Sequence, residues 1–268
     1  MSLRPPGLDR LDLDTPYGDA RPFVPVRGTC PRLGRPRLLP EQRRPRNELK
    51  GIGRPHMSTT TVVHLLRHGE VHNPDGILYG RLPEFHLSEN GTEMAVLAAE
   101  WLAGRDIAAL YSSPLDRAKE TAQAVADEFG VSIRLDERLI EAGNTFQGMT
   151  LSSRSVRDPQ VLRRLYNPFR PSWGEPYSRI VARMVDVIKV VRKEAWGREA
   201  VCVSHQLPIW MARRAAEKKR LWHRPDRRQC NLASVTSLTF EEHRLVSVGY
   251  AEPAADLYRR SGPLVPGA

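Results

Sequence analysis

"VVHLLRHGEVHNPDG", residues 62–76, begins as a short apolar run and ends in Arg67, His68, Gly69 and Glu70. The run reads as a strand over 61–66, and a buried strand does not tolerate that ending. The chain is therefore expected to leave its core at Arg67. Two later segments repeat the pattern: "IAALY" gives way to Ser112, Ser113 and then Arg117, and "EAVCV" gives way to Ser204 and His205. In an open, mostly parallel sheet such positions lie at the carboxyl ends of the strands, where ligands bind. The three polar endings can therefore meet in space.

From Thr59 onward, apolar strands alternate with amphipathic helices, the pattern of an α/β fold with a central, mostly parallel sheet covered on both faces in three α/β/α layers. The expected strands are 61–66, 107–111, 131–135, 199–204, 233–239 and 245–250. A helix over 89–103 has Ser88 as N-cap, turns Ala95, Ala98 and Leu102 inward, and stops at Gly104. A second, from Pro114 to about residue 128, takes Ser113 as N-cap and Pro114 at N1, with Ala118, Ala122 and Val125 inward. A third, about 176–195, aligns Ile180, Met184, Val187 and Val191 on one stripe.

Charge and composition set the organisation. Of the formal net charge of +10, +6 falls in residues 1–56, which also hold 10 of the 22 prolines. Such a segment buries too little apolar surface to offset its ordering entropy and is expected to be disordered. Its expected origin is an upstream start choice, with the compact domain running over 57–252 from Met57 and a tail over 253–268; a basic tether to nucleic acid or an acidic membrane is the alternative. Because most of the excess charge lies outside the domain, a nucleic-acid partner is not expected. Cys30, Cys202 and Cys230 are widely separated and odd in number, which fits a reducing compartment. With no apolar stretch approaching the roughly 18 residues of a membrane span, a cytoplasmic protein is expected.

The strand endings specify a chemistry. Two histidines and two arginines, beside a helix N-terminus, suit an anion. Two guanidinium forks match phosphoryl oxygens better than a single carboxylate, so phosphoryl transfer is the natural reaction. A neutral imidazole can attack phosphorus if its other nitrogen is held as a donor to a carbonyl or carboxylate. Gly69 is expected to let the backbone turn sharply after His68. His64, His72, His86 and His223 show no metal-ligand spacing, and neither a metal nor another cofactor is expected.

With these residues in hand, the sequence resembles the histidine phosphatase superfamily, in its phosphoglycerate mutase-like branch, over roughly 60–250. The resemblance is carried by "LLRHGEVHN", "YSSPLDRAKETAQ", "RLIEAGNTFQGMT" and "VCVSHQLPI", with "GEPYSRIVARM" and "CNLASVTSLTF" as further family-like segments. It implies a phosphoglycerate mutase-like fold and a hydrolase of the histidine acid phosphatase type acting on a small-molecule phosphate ester. His68 is then the nucleophile that becomes phosphohistidine; Arg67, Arg117 and His205 bind the phosphoryl oxygens; and Glu141 protonates the leaving oxygen and later activates water. Asn73, by its place in the opening motif, and Gln206, at the pocket edge after His205, are expected as further substrate-binding residues.

Departures from the family pattern are Val71, where a hydroxyl is common, Phe146-Gln147-Gly148 in place of Trp-Glu-Gly, and Gln206 in place of glycine. The acid loop "IEAGNTFQG" lacks the extended Glu-Arg-His-Tyr-Gly type found in mutases, which favours a phosphatase. A cofactor-dependent phosphoglycerate mutase and an inactive phosphate-binding module are the alternatives. Substrate choice is expected in 73–90, with Asp75, Tyr79, Arg81, Phe85 and His86, and in 143–179, with Asn144, Phe146, Arg154, Arg157, Arg163, Arg164, Tyr166, Phe169 and Trp173.

Overall fold

In the central strand β1, Thr60–Arg67, five consecutive residues from His64 to His68 are almost wholly buried, continuing through the strand's end rather than alternating. A strand buried on both faces requires covering layers on both, and the computed structural model, which describes residues 59–150 and 174–258, supplies them. The other strands are β2 (Ile107–Ser112), β3 (Ile133–Leu135), β4 (Glu199–Ser204), β5 (Val235–Glu241) and β6 (Arg244–Ala251). The helices are α1 (Glu89–Leu102), α2 (Asp116–Phe129), α3 (Tyr177–Glu194) and α4 (Gln206–Ala216). The sheet order is β3-β2-β4-β1-β5-β6, parallel from β3 to β1 and antiparallel across β5 and β6.

Each central strand feeds two cores. Val63 and Leu65, with Ala200 and Cys202, pack on one side beneath α3 and α4; Leu66, with Val201 and Val203, packs on the other beneath α1 and α2. Full burial of a side chain such as Leu65 contributes about 1.5–3 kcal/mol, so the double-sided core holds β1 and β4 firmly. The three-layer architecture is as expected from the sequence, and every expected strand is present within a few residues.

Of the helix starts, that of α1 matches the sequence pattern and that of α2 is displaced. Ser88 caps α1 as expected, its side chain accepting from the Gly91 amide at 2.9 Å. Helix α2 begins at Asp116, later than expected, and Ser113 does not cap it: its N-cap is Leu115, without a side-chain hydrogen bond. The Ser113 hydroxyl is engaged with His205 instead. Residues 1–56, most of the tail over 253–268, Cys30 and the expected specificity residues Arg154, Arg157, Arg163, Arg164, Tyr166, Phe169 and Trp173 lie outside the described residues.

Candidate active site

The ladder of parallel strands carries the three polar endings to one edge. Arg67 is in register with Ser204, and Ser112 with Val203. The bonding continues one residue beyond the strands: the His68 amide donates to the Ser204 carbonyl at 3.1 Å and the Ser113 amide to the Val203 carbonyl at 2.9 Å. With β4 between β1 and β2, His68 and His205 are brought together, their ring centroids 5.1 Å apart.

His68 is 1% exposed, and its Nδ1 lies 2.8 Å from the Gly69 carbonyl oxygen. A carbonyl only accepts, so Nδ1 carries the proton and Nε2 keeps its lone pair. Burial holds the imidazole well below its ordinary pKa, reinforced by the Arg117 and Arg67 guanidiniums. The ring is therefore neutral at physiological pH, as the sequence-based chemistry requires of a nucleophile.

Gly69 has a different role from the one expected. It is absent from the glycines with positive φ. A Cβ there would overlap the Gly91 carbonyl, and one on Gly91 would overlap the Glu70 carbonyl, so the two glycines let α1 approach the His68 loop. Glu70 completes that junction: its carboxylate accepts from the Ser88 hydroxyl at 2.7 Å and from Asn90 Nδ2 at 3.2 Å. On the α2 side, the Gly69 amide donates to the Thr121 hydroxyl at 3.1 Å.

Around this imidazole stand buried cations. Arg67, 3% exposed, donates from Nη1 to the Cys230 carbonyl at 2.8 Å. Arg117, 1% exposed, donates from Nη2 to the Gly80 carbonyl at 2.6 Å, and its guanidinium lies 4.7 Å from the centre of the Tyr79 ring. Its Nε and Nη1 are buried without a partner among the described residues. His205 contacts Ser113 Oγ through Nε2 at 2.8 Å, while its buried Nδ1 likewise has no partner among them. Buried polar groups left unsatisfied are costly, and such a cluster beside a neutral imidazole has the chemistry to suit a multiply charged anion.

Glu141 enters from the loop after β3. A 3-10 turn over Glu137–Leu139 is tied down where the Asp136 amide donates to Ser112 O at 2.9 Å and the Ser204 hydroxyl to Leu139 O at 2.6 Å. The carboxylate takes the Ala142 amide on Oε1 at 2.7 Å. Burial raises its pKa, outweighing that amide and the charges of Arg117, Arg67 and Arg183. Burial thus raises the Glu141 pKa in the free protein, before any phosphoryl group is bound.

The remaining candidates fare differently. Asn73 spends its amide on a turn, donating from Nδ2 to Ile77 O at 2.8 Å and accepting the Ile77 amide at 3.0 Å, because a short amide finds nearby backbone before a distant ligand. Gln206, at the start of α4, accepts from Arg228 Nη1 at 3.1 Å. Gln147 accepts the Arg81 amide at 2.7 Å, and Val71 bridges to Leu87, so both departures from the family pattern are occupied in loop packing.

The sequence reading missed four further features: Ser113 as the partner of His205, Tyr79 over Arg117, Arg228, and a clamp in which Glu175 accepts from both Arg81 and Arg183. Arg81 in turn donates from Nε to the Glu141 carbonyl at 2.6 Å. Tyr79 and Arg81 fall in a segment expected to govern substrate choice; nothing in "RPDRRQC" separates Arg228 from its neighbours. Among the described residues, no group of three or more His, Cys, Asp or Glu is arranged to hold a metal, and no helix is long and apolar enough to cross a membrane.

The chain is similar to known proteins over most of its length. An uncharacterized Mycobacterium tuberculosis protein is 52% identical over 201 residues, covering 74% of this chain and all of that protein. Phosphoserine phosphatase 1 of Hydrogenobacter thermophilus is 30% identical over 190 residues, covering 68% of this chain and 88% of its own. Among solved structures, mycobacterial glucosyl-3-phosphoglycerate phosphatase superposes with a TM-score of 0.58 at 27% identity, covering 71% of this chain and 97% of its own. The profile of the histidine phosphatase superfamily (branch 1) matches residues 63–253, and the chain belongs to that superfamily.

Proposed function

We propose that the chain is a metal-independent phosphomonoesterase, acting through phosphohistidine at His68 on a small-molecule phosphate ester. The observation that carries this reading is the His68 Nδ1 contact to the Gly69 carbonyl in a buried, neutral ring, which leaves Nε2 available for attack.

The substrate phosphoryl group occupies the pocket of Arg67, Arg117 and His205. Its spread negative charge is matched by guanidiniums already in place, so little reorganisation accompanies the transition state. The Ser113 hydroxyl can donate to His205 Nε2, which puts the His205 proton on Nδ1, the nitrogen without a partner among the described residues. As the N–P bond forms at His68 Nε2 and the P–O bond breaks, the Glu141 carboxyl gives its proton to the leaving oxygen. In the second half the Glu141 carboxylate takes a proton from water, whose oxygen attacks phosphorus. The N–P bond breaks, inorganic phosphate leaves, and both side chains return to their starting states.

The same groups support the acid phosphatase reading: attack requires a neutral His68, which its lowered pKa favours, and a protonated Glu141, which its raised pKa favours. A cytoplasmic location is supported by the free thiols of Cys202 and Cys230. The related phosphatases support hydrolysis of small phosphate esters.

The test is hydrolysis of p-nitrophenyl phosphate at pH 4–8 with EDTA present, wild type beside His68→Ala, with trapping of acid-labile, base-stable phosphate on the protein. Turnover and labelling that both vanish in the mutant are expected. Undiminished turnover by folded His68→Ala refutes the phosphohistidine mechanism.

A further inference from the structure

Most arginines near the site have an assigned counterpart. Arg81 and Arg183 share Glu175, Arg224 pairs with Asp226, and Arg213 pairs with Glu217. Arg228 has no carboxylate partner among the described residues. Its side-chain hydrogen bonds go to neutral acceptors: Nε to His223 Nε2 at 2.9 Å and Nη1 to Gln206 Oε1 at 3.1 Å. His223 is fixed as an acceptor, because its Nδ1 donates to the Leu221 carbonyl at 2.8 Å and burial lowers its pKa to about 4. A half-buried guanidinium whose hydrogen bonds reach no carboxylate among the described residues is costly to keep, and the site gains when an anion arrives.

The surroundings of Arg228 place that anion beside the phosphoryl pocket. Gln206, which Arg228 holds, directly follows His205; Cys230, two residues along, gives its carbonyl to Arg67. The segment bearing Arg228 is thus bracketed by two members of the phosphoryl clamp, and its charge acts on both Glu141 and Arg67. With Nε and one Nη1 hydrogen in use, the Nη1/Nη2 edge still offers a pair of N–H groups. One such edge and one positive charge match a single carboxylate, two oxygens to two donors, better than a second phosphate dianion.

We propose that Arg228 binds a carboxylate on the substrate, so that the natural ester is the phosphate of a small hydroxy acid, an assignment that rests on the phosphomonoesterase reading above. The carboxylate lies at the Arg228 edge while the phosphoryl group sits between Arg67, Arg117 and His205.

Binding is measured calorimetrically in full-length His68→Ala protein, so that nothing turns over. The first probe pair is O-phosphoserine and phosphoethanolamine, which differ by one carboxylate. The second is fructose 1,6-bisphosphate and fructose 6-phosphate, which differ by one phosphate. O-Phosphoserine is expected to bind on the order of ten- to hundredfold more tightly than phosphoethanolamine. That ratio should fall towards one when Arg228→Gln is added and take an intermediate value with Arg228→Lys, which keeps the charge and loses the fork. A ratio taken within one protein is insensitive to any loss of folded material. Equal binding of the first pair by the parent, or a preference that survives Arg228→Gln, overturns the proposal. So does a gain confined to the bisphosphate, which would make Arg228 a second phosphate site. Turnover of p-nitrophenyl phosphate by protein with His68 intact reports separately on the phosphomonoesterase reading.

Discussion

Glu141→Gln separates chemistry from folding at one buried position. Glutamine has nearly the same shape, and its amide oxygen can keep the Ala142 N–H contact, 2.7 Å in the parent, but it has no proton to transfer. General-acid catalysis of this kind is worth about 10²–10⁴-fold, so hydrolysis of an alkyl phosphate should fall by that factor. p-Nitrophenyl phosphate, whose leaving group departs without protonation, should lose far less in the phosphorylation step. The stability effect has the opposite sign. The folded pKa of Glu141 is raised above its unfolded value, so its contribution is fully present below the unfolded pKa and is lost as pH rises through the folded pKa. Each unit of upward shift corresponds to about 1.4 kcal/mol lost from the parent at high pH. The glutamine variant, free of that loss, should gain in melting temperature relative to the parent as pH rises from 4 to 8. Parallel steady-state kinetics on the two esters and thermal melts across that range decide the matter. Equal losses on both esters, together with a pH-independent difference in melting temperature, would refute a buried, proton-carrying Glu141.

Ser113→Ala removes the only hydrogen bond to the His205 ring among the described residues and should lower kcat/KM on the order of tenfold to a hundredfold, with ¹⁵N imidazole shifts reporting a changed His205 tautomer; an unchanged tautomer contradicts the positioning role. Gly69→Ala and Gly91→Ala each place a Cβ against backbone that cannot move aside, so urea denaturation should show losses of about 3 kcal/mol or more, against under 1 kcal/mol for alanine at the unobstructed Gly143. Because His68 stays neutral below the ordinary imidazole range, kcat/KM should persist as pH falls through 6 and decline only when the buried ring protonates; a decline centred near 6.5 would mean that His68 is not desolvated.

Much of the site was legible because it obeys local rules. The central strands are apolar on both faces, and the residues ending them, Arg67, His68, Ser204 and His205, interrupt those runs abruptly. Helix α4 was not delineated in advance: it begins directly after His205 with no capping side chain and carries Pro208 in its first turn, so its start resembles a loop. Asn73 illustrates a different limit. An asparagine can bind a ligand or its own backbone, and only the folded loop shows that Ile77 takes both ends of its amide.

The sequence by itself determined the α/β class, the positions of the strands, and which ionisable side chains are carried to their ends, because these follow from hydrophobic periodicity along the chain. Tertiary structure decided what those side chains are. The His68 tautomer, the raised pKa of Glu141, the contact of Ser113 with His205, the closeness of Gly69 to Gly91 and the neutral hydrogen-bond partners of Arg228 all depend on groups distant in sequence or on burial by the assembled core. Hydrophobic pattern is a property of consecutive residues, whereas desolvation and hydrogen bonding at a site belong to whatever the fold brings within a few ångströms.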